Sequence, residues 1–118
     1  MPVSHLREMP VEEADGKRIQ YAAPAETGAA TLAFLRGRFA AGSGNPPHRH
    51  DHEEIVFVLD GSGVYTIGPQ TYEVRAGDVV VVPEGVIHAF HATEDAEAIG
   101  IISADARTFA PDGSVADE

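Results

Sequence analysis

From Lys17 to Phe109 short apolar runs alternate with breaks marked by glycine and proline, and no 3.6-residue period lasts long enough for a useful helix. Lys17 to Ala23 reads as a strand around Ile19 and Tyr21, stopped by Pro24 and a Glu26-Thr27-Gly28 turn. Ala30 to Ala40 is a longer strand with Ala33, Leu35 and Phe39 on one parity and Leu32, Phe34, Arg36 and Arg38 on the other. Its inward face is therefore ambiguous. Ala41 to Pro47 reads as a loop, stiffened by tandem prolines. Glu54 to Asp60 reads as a buried strand, which Asp60-Gly61-Ser62-Gly63 turns into Val64 to Ile67. Thr71 to Arg75 alternates as a half-buried strand does, Val79 to Val82 is too uniformly β-branched for a helix, and Ile87 to Thr93 and Ala96 to Ala104 complete the set. The pattern predicts an all-β chain, an antiparallel β-sandwich or barrel. It divides into an arm over 1–16, a single domain over 17–109 and an acidic, disordered tail over 110–118.

Composition narrows the chemistry. The length of 118 residues fits one domain. The absence of cysteine removes thiolate metal sites and cysteine nucleophiles, so any metal must be held by nitrogen and oxygen. A formal charge of -11 disfavours nucleic acid and anionic lipid as partners. The sequence shows no secretory segment and no apolar run long enough to span a bilayer, so a cytoplasmic protein is expected. Lys17 is the only lysine, and its charged surroundings near the N-terminus argue against a Schiff-base role.

The candidate chemistry lies in one stretch, Pro47-His48-Arg49-His50-Asp51-His52-Glu53-Glu54. On an extended segment His48 and His50 share a face and Glu54 keeps their parity, and imidazoles with a carboxylate are ligands that first-row divalent metals favour. His88, after the turn at Pro83-Glu84-Gly85, supplies a fourth candidate from a second strand. His52 shares the parity but is expected to be exposed or to support the ligands rather than join them, and His91 is expected to face outward. Glu53 should point away from the site, and Asp51 and Glu53 are candidates for holding histidine tautomers. Tyr65, Phe57 and Phe90 read first as core aromatics. Tyr65 and His52 are the candidate catalytic groups. Arg36 and Arg38 read as solvated or interface charges, with an anion clamp as the alternative if they face inward.

Gly42, His48, His50, Glu54 and Gly61 fall at the spacing G-x5-H-x-H-x3-E-x6-G, and Gly77, Pro83, Gly85 and His88 at G-x5-P-x-G-x2-H. The two stretches resemble the paired motifs of the cupin superfamily, in the form of its small single-domain bacterial members. The second motif usually ends in asparagine, where this chain has Ala92. The resemblance implies a jelly-roll barrel with a divalent ion (manganese, iron, nickel or zinc) held by His48, His50, Glu54 and His88. It further implies a small-molecule substrate and a homodimer in which the first strand pairs with a neighbouring subunit. The implied function is a metal-dependent enzyme, dioxygenase-like or an isomerase or lyase, acting on an oxygen-bearing organic molecule. The alternative is a non-catalytic binding or sensing module, and whether the chain is an enzyme stays open here.

Overall fold

Side chains alternate across a β-strand, so each strand of a two-layer protein divides its residues between core and solvent. Phe57 and Val56 mark that division: Phe57 is 41% exposed and Val56 is 4% exposed. The computed structural model describes residues 3–116. In chain order its strands are β1 (Glu12–Ala14), β2 (Lys17–Ala22), β3 (Leu32–Phe39), β4 (Gly44–His50), β5 (Glu54–Asp60) and β6 (Ser62–Ile67). They continue with β7 (Gln70–Arg75), β8 (Val79–Val82), β9 (His88–Ala92), β10 (Ala96–Ser103) and β11 (Thr108–Phe109). A single helical turn, α1 (Pro24–Thr27), starts on proline and stops at Gly28, whose φ of 80° supplies the left-handed cap.

The strands form two antiparallel sheets, ordered β1-β2-β3-β10-β5-β8 and β11-β4-β9-β6-β7. From β3 onward the chain crosses repeatedly from one sheet to the other, as a jelly roll does. Val56, Val58, Val80, Val82 and Phe39 from one sheet meet Tyr65, Val74, Phe90 and Ala92 from the other. Phe90 sits at their centre, edge-on to Phe39 at 5.1 Å and tilted against Tyr65 at 5.0 Å. Ala92, where asparagine is usual, is fully buried in this core with both backbone groups bonded to the 42–43 turn, so no polar side chain is left to satisfy.

Two expectations change, and the neighbours of β2 and the facing of β3 become definite. The strand Glu54–Asp60 is buried on one face only: Ile55, Phe57 and Leu59 lie on the open side of the six-stranded sheet, so Phe57 is not a core aromatic. Residues 44–47, expected in a loop, belong to β4. Asn45 pairs with Phe90 and His48 with His88, so one extra residue is accommodated between them, and this bulge takes the two prolines, which have no N–H for a ladder. Strand β2 is no open edge, because β3 lies on one side and β1 pairs with Lys17–Ile19 on the other. Its outward Gln20 is covered by the N-terminal segment, donating to the Leu6 and Met9 carbonyls. In β3, Ala33, Leu35, Gly37 and Phe39 take the more buried parity. Arg36 and Arg38 therefore face away from the barrel interior, and Arg36 pairs with Glu97.

After β11 the chain turns back, with Ala110 N–H bonded to the Ser114 carbonyl and Ala116 N–H to the Thr108 carbonyl. The last part of the expected disordered tail, 117–118, lies outside the described residues. Among the described residues no helix is long and apolar enough to cross a membrane.

Gly44 fixes the approach of β4 to β9, since a Cβ there falls 1.9 Å from the Phe90 carbonyl oxygen. Gly44→Ala is expected to destabilise the fold by about 2–4 kcal/mol, measured by urea unfolding, because backbone rather than a flexible side chain must yield.

Candidate metal centre

The bulge in β4 delivers His48 and His50 to the end of one strand, side by side on the inward face, and the Pro83-Glu84-Gly85 turn starts β9 with His88 directly opposite His48. The ring centroids of His48 and His88 are 4.2 Å apart, and those of His50 lie 4.9 and 5.1 Å from them. One nitrogen from each of the three rings falls within 4.8 Å of the others. Glu54 opens β5 beneath them, its Oε1 3.6 Å from His50 Nε2 and 3.9 Å from His88 Nε2. Two donors of one first-row cation, each ~2.1 Å from it, are themselves ~3.0 Å apart at right angles and ~4.2 Å apart when opposed. The Glu54 separations lie inside that interval.

The outer nitrogens are fixed by backbone. His48 Nδ1 donates to the Pro46 carbonyl at 2.7 Å, and His88 Nδ1 donates to the Val86 carbonyl at 3.0 Å. A carbonyl only accepts, so each proton sits on Nδ1 and each Nε2 keeps its lone pair. His50 Nδ1 is 3.0 Å from the Thr108 hydroxyl of β11. His88 Nε2 is buried with no hydrogen-bond partner among the described residues. An unsatisfied buried lone pair is costly, and coordination to a cation removes that cost. The donor set of nitrogen and oxygen, two fixed tautomers and one orphaned lone pair together fit a divalent metal.

Burial lowers the basicity of His48 and His88. The Pro46 and Val86 carbonyls oppose it, and the charges of Lys17 and His48 respectively add to it. These rings are therefore held neutral, as ligands must be. Burial pushes the Glu54 carboxyl up to about 7. It raises the Tyr65 phenol as well, with the Glu54 charge adding to the effect.

The rings and Glu54 stand at the base of a cavity of about 590 Å³. Tyr65 lines it, whereas His52 lies apart, half-exposed, with Nδ1 2.8 Å from Asp51 Oδ1, on a separate outer groove. Asp51 thus orients His52, while the tautomers of His48 and His88 are set by Pro46 and Val86. Glu53 and His91 face solvent. Three participants were not foreseen. Lys17 lines the cavity, and the signal was its shared parity with Ile19 and Tyr21, which line it too. Gly100 leaves the space that Glu54 occupies, since a Cβ there meets Oε2 at 2.9 Å; an isolated glycine within a strand was the available clue. Thr108 had no signal, because its strand is two residues long.

A two-sheet antiparallel barrel with clustered imidazoles at its inner end defines a β-barrel protein of the metal-site type. Residues 35–102 match the model of the Cupin domain family, and the chain belongs to that family. An uncharacterised protein of Streptomyces coelicolor is 36% identical over 83 residues, covering 63% of this chain and 79% of the relative. Acireductone dioxygenase of Puccinia graminis is 37% identical over 54 residues, covering 41% of this chain and 30% of that enzyme. Bacillus subtilis oxalate decarboxylase, which carries Mn(II) centres, superposes with a TM-score of 0.79 at 22% identity over 86% of this chain and 30% of that one. The chain thus matches about a third or less of the length of either enzyme.

Ionising a carboxyl whose folded value is raised opposes folding. The penalty is absent below pH 4.5, where Glu54 is protonated in both states, and complete above about pH 7, where it is charged in both. In metal-free protein Glu54→Gln is expected to gain ~3 kcal/mol of stability relative to the parent as pH rises across that window. The histidine contributions, which oppose folding below about 6.5, are common to both proteins and cancel. Paired urea titrations at several pH values check this, and a pH-independent difference refutes the assignment.

Proposed function

We propose that this cupin is a metal-dependent enzyme acting on a small oxygen-bearing organic molecule, with His48, His50, His88 and Glu54 as the metal ligands. The observation that carries the reading is the pair of Nε2 lone pairs, fixed by Pro46 and Val86, that face one point at the base of a cavity large enough for a ring-sized ligand. When bound, the ion supplies Lewis acidity or, if redox-active, dioxygen chemistry. The chain's own part is to hold the rings neutral, to keep Glu54 within reach through the space left by Gly100, and to exclude water with Phe90, Tyr65 and Ile102. Similarity to acireductone dioxygenase supports an oxygen-dependent reaction over isomerisation or elimination.

The first test is elemental analysis of protein purified without added metal. About one divalent ion per chain is expected, with retention falling at least tenfold in His50→Ala and Glu54→Ala. Oxygen-electrode assays over phenols, diketones and hydroxy acids then separate an enzyme from a binding module. A metal-loaded protein that binds panel members but turns over none, aerobically or not, supports the non-catalytic alternative.

The open face of the six-stranded sheet fits a second copy of the chain. Val81, Ile55 and Ile101 form one row across it and Val79, Phe57 and Ile99 the next, with no charge among them. Arg36 extends the second row and is already paired with Glu97 in the same chain. Two acidic copies can therefore stack apolar rows, ~10 Å apart, without opposing unpaired charges there. Light scattering is expected to give a dimer for the parent and a monomer with unchanged metal content for Phe57→Asp. A persistent dimer in that variant rules out this face.

A further inference from the structure

Lys17, the only lysine of the chain, lies on β2 and lines the same cavity as His48, His50, Glu54 and His88. Its ammonium donates to Asn45 Oδ1 at 2.9 Å, a neutral acceptor, and among the described residues no carboxylate lies within ion-pair distance of it. That is unexpected in a chain with nineteen acidic against eight basic side chains. Arg18 and Arg36, by contrast, have Glu13 and Glu97 as partners. Among the described residues lining the cavity, Lys17 is the one permanent cation and Glu54 the one carboxylate. A dication held by neutral imidazoles and one carboxylate keeps a single net positive charge, so with Lys17 the cavity is cationic inside an acidic molecule. Much of the remaining wall is apolar, including Ile19, Leu35, Phe90 and Ile102.

We propose that Lys17 anchors the carboxylate of a small organic acid whose apolar body packs on Ile19, Leu35 and Ile102 and whose reacting oxygen faces the histidine cluster. The substrate class deepens the metal-dependent reading and rests on it for the chemistry, but anion recognition by Lys17 is separable from metal binding. Asn45 accepts one ammonium hydrogen bond without offsetting its charge and leaves the other donors for the ligand, whereas a carboxylate partner would offset that charge. The outward-facing Arg36 and Arg38 play no part in this recognition.

The test uses 4-fluorobenzoate and its neutral isostere 4-fluorobenzamide, followed by fluorine NMR titration against Zn2+-loaded and metal-free protein. In both forms the acid is expected to bind at least about tenfold more tightly than the amide. Lys17→Met is expected to lose about tenfold for the acid and little for the amide, while Lys17→Arg stays within about threefold of the parent. Asn45→Ala keeps or strengthens acid binding, because it releases the ammonium; a loss matching Lys17→Met shows that Lys17 only ties β2 to β4, and overturns the proposal. Equal acid affinity in the parent and Lys17→Met, or no acid binding by the parent at about 20 mM, overturns it too. Zn2+ affinity from a chelator competition, run on the same samples, reports on the metal site alone. Failure there with Lys17-dependent acid binding intact removes the metal-dependent reading and leaves the anion site standing. Thermal melts confirm that each variant is folded, and Lys17→Gln replaces Lys17→Met if the latter is not.

Discussion

The carbonyl oxygens of Pro46 and Val86 each accept a hydrogen bond from the ring two residues further on, and this local constraint determines what the barrel interior can hold. Were His48 or His88 to rotate, the Pro46 or Val86 carbonyl would lose its donor and a ring N–H would point at other imidazoles, a change that costs most at His88, the more deeply buried ring. The rings are therefore oriented before any ligand arrives. The cost of that preorganisation is visible as the orphaned Nε2 of His88 and as a carboxyl that resists ionisation. A site that stores unfavourable desolvation in this way is relieved by a cation and by little else of its size.

The sheet geometry is what brings the two carbonyls into register. In an unbroken ladder His88 would oppose Pro47, and His48 would fall a residue out of step. The bulge restores the pairing of His48 with His88, and it takes the two consecutive prolines where β4 has only β9 beside it, β11 pairing no further back than Arg49. Close contact of Gly44 with the Phe90 carbonyl then clamps the strands just before the bulge, so that the position of His48 is set by backbone packing rather than by its own side chain. The same economy recurs at Gly100, where the missing side chain is the room Glu54 needs.

The strand succession was legible in the order of residues because it depends on local periodicity, and the meeting of His88 with His48, His50 and Glu54 was expected from the resemblance of the two motifs. What was not legible depends on contacts between distant segments. Phe57 and Val56 look alike in an apolar run, and only the absence of a covering layer over the β5 side of the sheet separates them. Residues 44–47 carry every loop signal, yet pairing with β9 draws them into a strand around those signals. Arg36 was ambiguous because both parities of β3 are apolar, and Glu97, sixty-one positions away, shares the face it takes. Lys17 was set aside for its charged neighbours, although they occupy the turn and arm while its own side chain follows Ile19 and Tyr21 inward.

The formal charge of -11 and a cationic cavity are compatible because they act over different ranges. At physiological ionic strength the Debye length is ~8 Å, so most surface carboxylates are screened before their field reaches the cavity base. Inside, Phe90, Tyr65 and Ile102 line the wall, and a charge beside such apolar surface acts at close range in a poorer dielectric. The surface field slows the approach of an anion, whereas the short contact governs its departure. An acidic exterior thus leaves the recognition of an acidic ligand intact, provided that one cation faces inward without a carboxylate beside it, and Lys17 on Asn45 meets that condition.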